Sequence, residues 1–181
     1  HPGDRGHLTV PFEQMRTMIL HANSKGYPVR IHTIGDEAIH LALNIFEEAE
    51  ALYGRPSMRT NGEAALCRNT LEHLENFQPE DIERLARLEV VASVQPPHIT
   101  LDPGGPERDL GPERCRWMWP FATYLDKGVQ MAFGTDSPVV EIDPMPVAAR
   151  RAHPDARCAF GLYLRLRMCR RGERRARHAR A

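Results

Sequence analysis

Four short apolar runs, residues 28–32, 69–73, 90–95 and 129–133, alternate along the chain with segments whose apolar residues recur at helical spacing. That alternation narrows the fold more than any other property of the sequence. Parallel strand neighbours need a crossover, which a helix supplies, so strands alternating with helices and lacking hairpin signals predict parallel βα units. The expectation is an α/β fold with four short strands buried on both faces, as a barrel or a doubly wound sheet requires.

The helices are predicted from caps and faces. Thr9 can cap a first helix with Pro11 in its first turn, Phe12, Met15, Ile19 and Ala22 along one face, and Gly26 as the stop. After Gly35 and Asp36, a second helix turns Ile39, Ala42, Leu43, Phe46 and Ala49 inward and leaves Glu47, Glu48 and Glu50 to solvent. A third covers residues 79–88, with Ile82, Leu85 and Ala86 inward, and a fourth lies around residues 119–126 and stops at Gly128. Residues 54–68 read as a loop, as does the Pro/Gly-rich run 96–112, a length that inside a compact domain is usually functional.

Composition sets the class. The 181 residues include 24 Lys+Arg against 24 Asp+Glu, with 41% hydrophobic and 7% aromatic residues, one ordinary soluble domain's worth. Collagen, coiled coil and wholesale disorder are excluded, and no stretch approaches the roughly 18 apolar residues of a membrane span. Cys67, Cys115, Cys158 and Cys169 are far apart, with no CxxC pair, and predict free thiols in a reducing, cytoplasmic setting. The zero net charge hides a split: residues 151–181 hold ten Arg and two acids, a net of +8, and residues 1–150 a net of −8. The expected organisation is a folded, acidic domain over 1–150 and a basic, low-complexity, solvated tail over 151–181, with neither nucleic acid nor membrane as partner.

Polar residues fall at the strand ends. His32 closes the first run, His73 the second, His98 follows the third by three residues, and Asp136 lies just beyond the fourth, at intervals of 41, 25 and 38 residues. In a parallel α/β barrel all strands end on one face, which carries the active site, so four ligands or bases would converge there. Neutral imidazoles and a carboxylate suit zinc or a similar divalent ion, and metal-assisted hydrolysis is the natural chemistry of such a set. Taken alone, Asp136 in GTDSP also fits a turn, and Glu72 alternates to the other side of its strand from His73.

The segments PVRIHTIGD (28–36), TLEH (70–73), VASVQPPH (91–98) and FGTDSPV (133–139), in this order and spacing, resemble the second half of the amidohydrolase superfamily. They are most similar to its amidohydrolase 3, or YtcJ-like, branch, which includes N-substituted formamide deformylases. The resemblance covers about residues 9–150 and implies strands five to eight of a (β/α)8 barrel. It makes His32 and His73 the metal-binding histidines of strands five and six, and Asp136 the strand-eight aspartate that binds or faces the metal and acts as general base. It gives His98 a contact to substrate or transition-state oxygen, and it has Gly35 and Asp36 shape the turn after strand five, Asp36 capping the next helix.

The implied activity is cleavage of amide or formamide C–N bonds in a small-molecule substrate by water activated on a divalent metal, zinc first. The HxH-type motif of strand one and the strand-four ligand of the family have no counterpart before His32, so the chain alone is expected to be inactive. Two open sheet edges make self-association an expectation as well. The competing reading is a non-catalytic remnant or binding module of the same fold. In a complete enzyme Trp117, Met118 and Trp119 would overhang the pocket.

Overall fold

A computed structural model describes residues 6–60, 63–102 and 104–142; the basic tail, with Cys158 and Cys169, lies outside them. The elements run α1 (Phe12–Ser24), β1 (Arg30–Thr33), α2 (Asp36–Tyr53), β2 (Ser57–Thr60), β3 (Glu63–Leu66), β4 (Thr70–His73), α3 (Pro79–Arg87) and β5 (Val91–Val94). A 3-10 turn (Pro96–Thr100), α4 (Gly105–Leu110), α5 (Pro112–Cys115), α6 (Phe121–Asp126) and β6 (Met131–Phe133) complete them. The four predicted strands form one parallel sheet in the order β1-β4-β5-β6. The protein is therefore α/β with a parallel sheet, each step between neighbours made through helices.

Three local expectations are corrected. Residues 54–68 contain an antiparallel hairpin, β2 with β3, rather than only a loop. Its signal was in the sequence, since Asn61 followed by Gly62 between two short runs is the strongest short-range hairpin dipeptide. The run 96–112 holds the 3-10 turn, α4 and the start of α5, because each of its prolines at a first-turn position starts a helical segment, where a missing N–H costs nothing. Burial on both faces fails for β1, where Arg30 and His32 are exposed. It is an outer strand whose one described neighbour is β4.

Capping also differs. Pro11, not Thr9, occupies the cap position of α1, its carbonyl accepting from Met15 N at 3.0 Å. Gly35 caps α2 without a side-chain bond, and Asp36 instead pairs with Arg114 at 2.7 Å. Gly26 ends α1 as expected, for two reasons: its φ is +81°, and a Cβ there would meet the carbonyl oxygen of Ser57 at 2.5 Å.

The core lies between the sheet and α2, α3 and α6. Ile39, Ala42, Leu43, Phe46 and Ala49 of α2 are all buried, as are Ile82 and Leu85 of α3, with Leu71, Ala92 and Val94 from the strands beneath. The acids of α2 are not simply solvated. Glu47 pairs with Arg84 and Arg87, Glu48 with Arg16 and Glu50 with Arg55, tying α2 to its neighbours across half-buried rims. Asp81 is fully buried, held by Arg84 at 2.7 Å and His40 at 3.1 Å. Cys115 is a free thiol. Among the described residues no helix is long and apolar enough to cross a membrane.

Candidate metal centre

The parallel register gathers the polar strand ends. Thr33 pairs with His73 and His32 with Glu72, so the histidines of β1 and β4 sit diagonally across adjacent strands. His73 Nε2 and His32 Nδ1 are 3.0 Å apart, one donating to the other, with the rings edge to face at a centroid separation of 4.2 Å. His98, carried by the 3-10 turn after β5, stacks on His73 at 5.6 Å between centroids. Asp136, beyond β6, brings its Oδ2 to 3.6 Å from His98 Nε2. The structure thus brings together all four residues singled out from the sequence, in one run of contacts from His32 through His73 and His98 to Asp136.

The backbone is bent to make this possible. His73, Leu74 and Asp136 are non-glycine residues in the left-handed region, with φ of +75°, +53° and +61°. Such conformations cost of order 1–3 kcal/mol each and persist where surrounding structure enforces them. The buried Tyr124 of α6 does so here: its hydroxyl donates to the carbonyl of Leu74 at 3.1 Å, and burial raises its pKa well above the phenol value. Trp119 N donates to Glu75 O at 2.7 Å and Phe77 N to Trp117 O at 3.1 Å, so residues 75–77 are paired with 117–119. The Trp-Met-Trp segment is therefore beside the site through its backbone.

Glu75 is the residue that sequence reasoning missed. Its Oε1 lies 2.8 Å from His98 Nδ1, and His73, Glu75 and His98 offer ligand atoms all within 4.8 Å of one another. The available signal is an acid two positions beyond a strand-end histidine, which strand alternation does not reach because β4 ends at His73. Glu72, next to His73, takes a packing part instead, pairing with Arg30 at 3.0 Å and accepting from Gln95 at 2.9 Å.

The donor set fits a divalent cation. His73 Nδ1 and His98 Nε2 are buried without a hydrogen-bond partner, a costly condition that a ligand would relieve. Burial first, and His32 beside it second, push the His73 pKa below the usual 6.5, against the pull of Asp136 and Glu75. His73 is then neutral at neutral pH, the form that ligates metal.

The same shift has a consequence for stability. Below pH 6.5 the unfolded chain takes up a proton at this residue before the folded chain does. His73 therefore contributes stability that is fully present above pH 6.5 and is lost as pH falls through its lower folded value. Urea midpoints of the metal-free chain should fall on acidification through this window, and less steeply for His73→Gln. An equal slope in both proteins would refute the assignment.

Residues 4–151 match the amidohydrolase family, and the chain belongs to it, in the amidohydrolase 3, YtcJ-like, branch. Among curated relatives it is similar to the protein LONG AFTER FAR-RED 3 of Arabidopsis thaliana, 30% identical over 145 residues, covering 80% of this chain and 23% of that one. It is also similar to the protein YtcJ of Bacillus subtilis (strain 168), 29% identical over 144 residues, covering 80% of this chain and 25% of that one. Among solved structures, uncharacterized metal-dependent hydrolases from Pyrococcus furiosus and Pyrococcus horikoshii OT3 each align with a TM-score of 0.65 and 28% identity. They cover 82% and 81% of this chain and 28% and 27% of theirs. The chain thus spans about a quarter of the length of the proteins it matches.

Proposed function

We propose that this chain supplies strands five to eight of a (β/α)8 barrel in a metal-dependent hydrolase that cleaves C–N bonds of amide or formamide type in a small-molecule substrate. The carrying observation is the run of contacts from His32 to Asp136 across the C-terminal ends of four parallel strands. The strand order supports the barrel: β1-β4-β5-β6 advances in one direction, whereas a doubly wound sheet reverses at its switch point.

His32, His73 and Asp136 are the residues assigned to hold the ion, and imidazole with carboxylate suits zinc. When bound, the cation supplies Lewis acidity that makes water a nucleophile near neutral pH. In this reading Asp136 takes a proton and returns it to the leaving nitrogen, and His98 meets the substrate through Nε2. Residues 1–150 form the barrel part in this reading, and 151–181 a separate basic tail. Among the described residues β1 and β6 each have one strand neighbour, so both edges stand open to the remainder of a barrel or to a second copy, and the chain alone is expected to be inactive.

Zinc titration of the chain, with an N-substituted formamide assay alone and after addition of the first half of a YtcJ-like barrel, tests this reading. The expected result is about one zinc per chain, no turnover alone and turnover on complementation. A stable fold that binds no divalent ion would instead make the chain a non-catalytic module of the same family.

A further inference from the structure

We propose that Glu75 is the positioning residue of this centre: its carboxylate keeps the proton of His98 on Nδ1 and so turns Nε2, the working nitrogen, toward Asp136. An imidazole has two nitrogens, and the bond made by one decides what the other can do. His98 Nδ1 lies 2.8 Å from Glu75 Oε1, and an ionised carboxylate only accepts, so this nitrogen carries the hydrogen. Nε2 is buried, makes no hydrogen bond and lies 3.6 Å from Asp136 Oδ2. With its hydrogen on Nδ1, His98 offers a lone pair at Nε2, with a second acceptor facing it, an arrangement that calls for a cation or a polar hydrogen between them.

Both partners are held for this task. Trp119 N fixes the carbonyl of Glu75 at 2.7 Å, and the bridge between Asn76 and Met118 secures the next residue. His98 N donates to Gln95 O at 3.0 Å within the 3-10 turn. The proximity of His73, Glu75 and His98 could be read as three ligands of one ion. The hydrogen bond argues otherwise, since it occupies Glu75 Oε1 and His98 Nδ1 with each other and leaves Nε2 to act. Carboxylate partners of this kind fix the tautomer and the ring orientation of imidazoles. The use made of Nε2 rests on the hydrolase reading above, whereas the tautomer does not.

Long-range proton–nitrogen NMR of the metal-free, nitrogen-15 histidine-labelled chain at about pH 8, above the ordinary imidazole range, reads the tautomer directly, with His98→Gln used to assign the signals. The expected result is His98 protonated on Nδ1 in the parent, with a shift toward the Nε2-protonated form in Glu75→Gln while the His32 and His73 signals keep their tautomers. Zinc affinity of Glu75→Gln should stay close to that of the parent, unlike that of His73→Ala, because His98 is not among the residues assigned to hold the ion. An Nε2-protonated His98 in the parent overturns the proposal whether or not the variant folds. So does loss of zinc binding in Glu75→Gln as complete as in His73→Ala, which would make Glu75 a ligand. Should the parent bind no zinc yet show the expected tautomer, the metal reading fails and the positioning role stands.

Discussion

Replacing His32 and His73 together by alanine is expected to lower zinc affinity at least 100-fold, about 2.7 kcal/mol, and to leave the purified chain without metal. Their facing nitrogens are 3.0 Å apart at the ends of adjacent strands, a separation at which one hydrogen bond stands where an ion would draw both. Catalytic zinc sites are generally built on three protein ligands, so removing two imidazoles leaves Asp136 with no partner to complete the shell. His73→Ala alone should carry most of the loss. His73 is buried and has an unpaired Nδ1, whereas His32 is exposed. Calorimetric titration with metal analysis measures the effect, and far-ultraviolet circular dichroism checks that the fold survives. A double variant that binds zinc as tightly as the parent would remove the basis for placing the ion here.

The second large effect is expected from Leu71→Ala, at about 3–5 kcal/mol of lost stability. Leu71 is fully buried in β4, pairs in register with Ile31 on one side and Ala92 on the other, and sits two residues before His73. Truncation removes apolar contacts and leaves a cavity in a strand fixed on both sides, where collapse is limited. Against a total stability of about 5–15 kcal/mol for a domain, the loss is a large fraction. Leu71→Met, which nearly conserves volume, should cost under about 1.5 kcal/mol. Urea unfolding followed by circular dichroism gives both values. Equal midpoints for the alanine variant and the parent would show that β4 is not the central, packed strand described.

Much of the architecture is legible in the chain itself. The core face of α2, from Ile39 to Ala49, and the four strands of the parallel sheet follow from periodicity, because burial selects apolar residues at fixed spacing. The hairpin of β2 and β3 was legible too, in Asn61 and Gly62, but two strands of four residues carry too little alternation to stand out. The salt bridges of Glu47, Glu48 and Glu50 were not legible, since their partners Arg84, Arg16 and Arg55 lie on other elements or past the helix end.

For the site, the sequence by itself determined which residues stand at strand ends: His32 and His73 close apolar runs, and His98 and Asp136 follow theirs by three residues. Only the tertiary structure decided how they meet. The left-handed bend at His73 and Leu74, the hydroxyl of Tyr124 that holds it, and the pairing of residues 75–77 with 117–119 bring Glu75 to His98. Strand position is local, because the hydrophobic period writes it into consecutive residues. The partner of a side chain is non-local, because it depends on segments dozens of residues apart whose approach is set by packing, and no spacing within the chain encodes that distance.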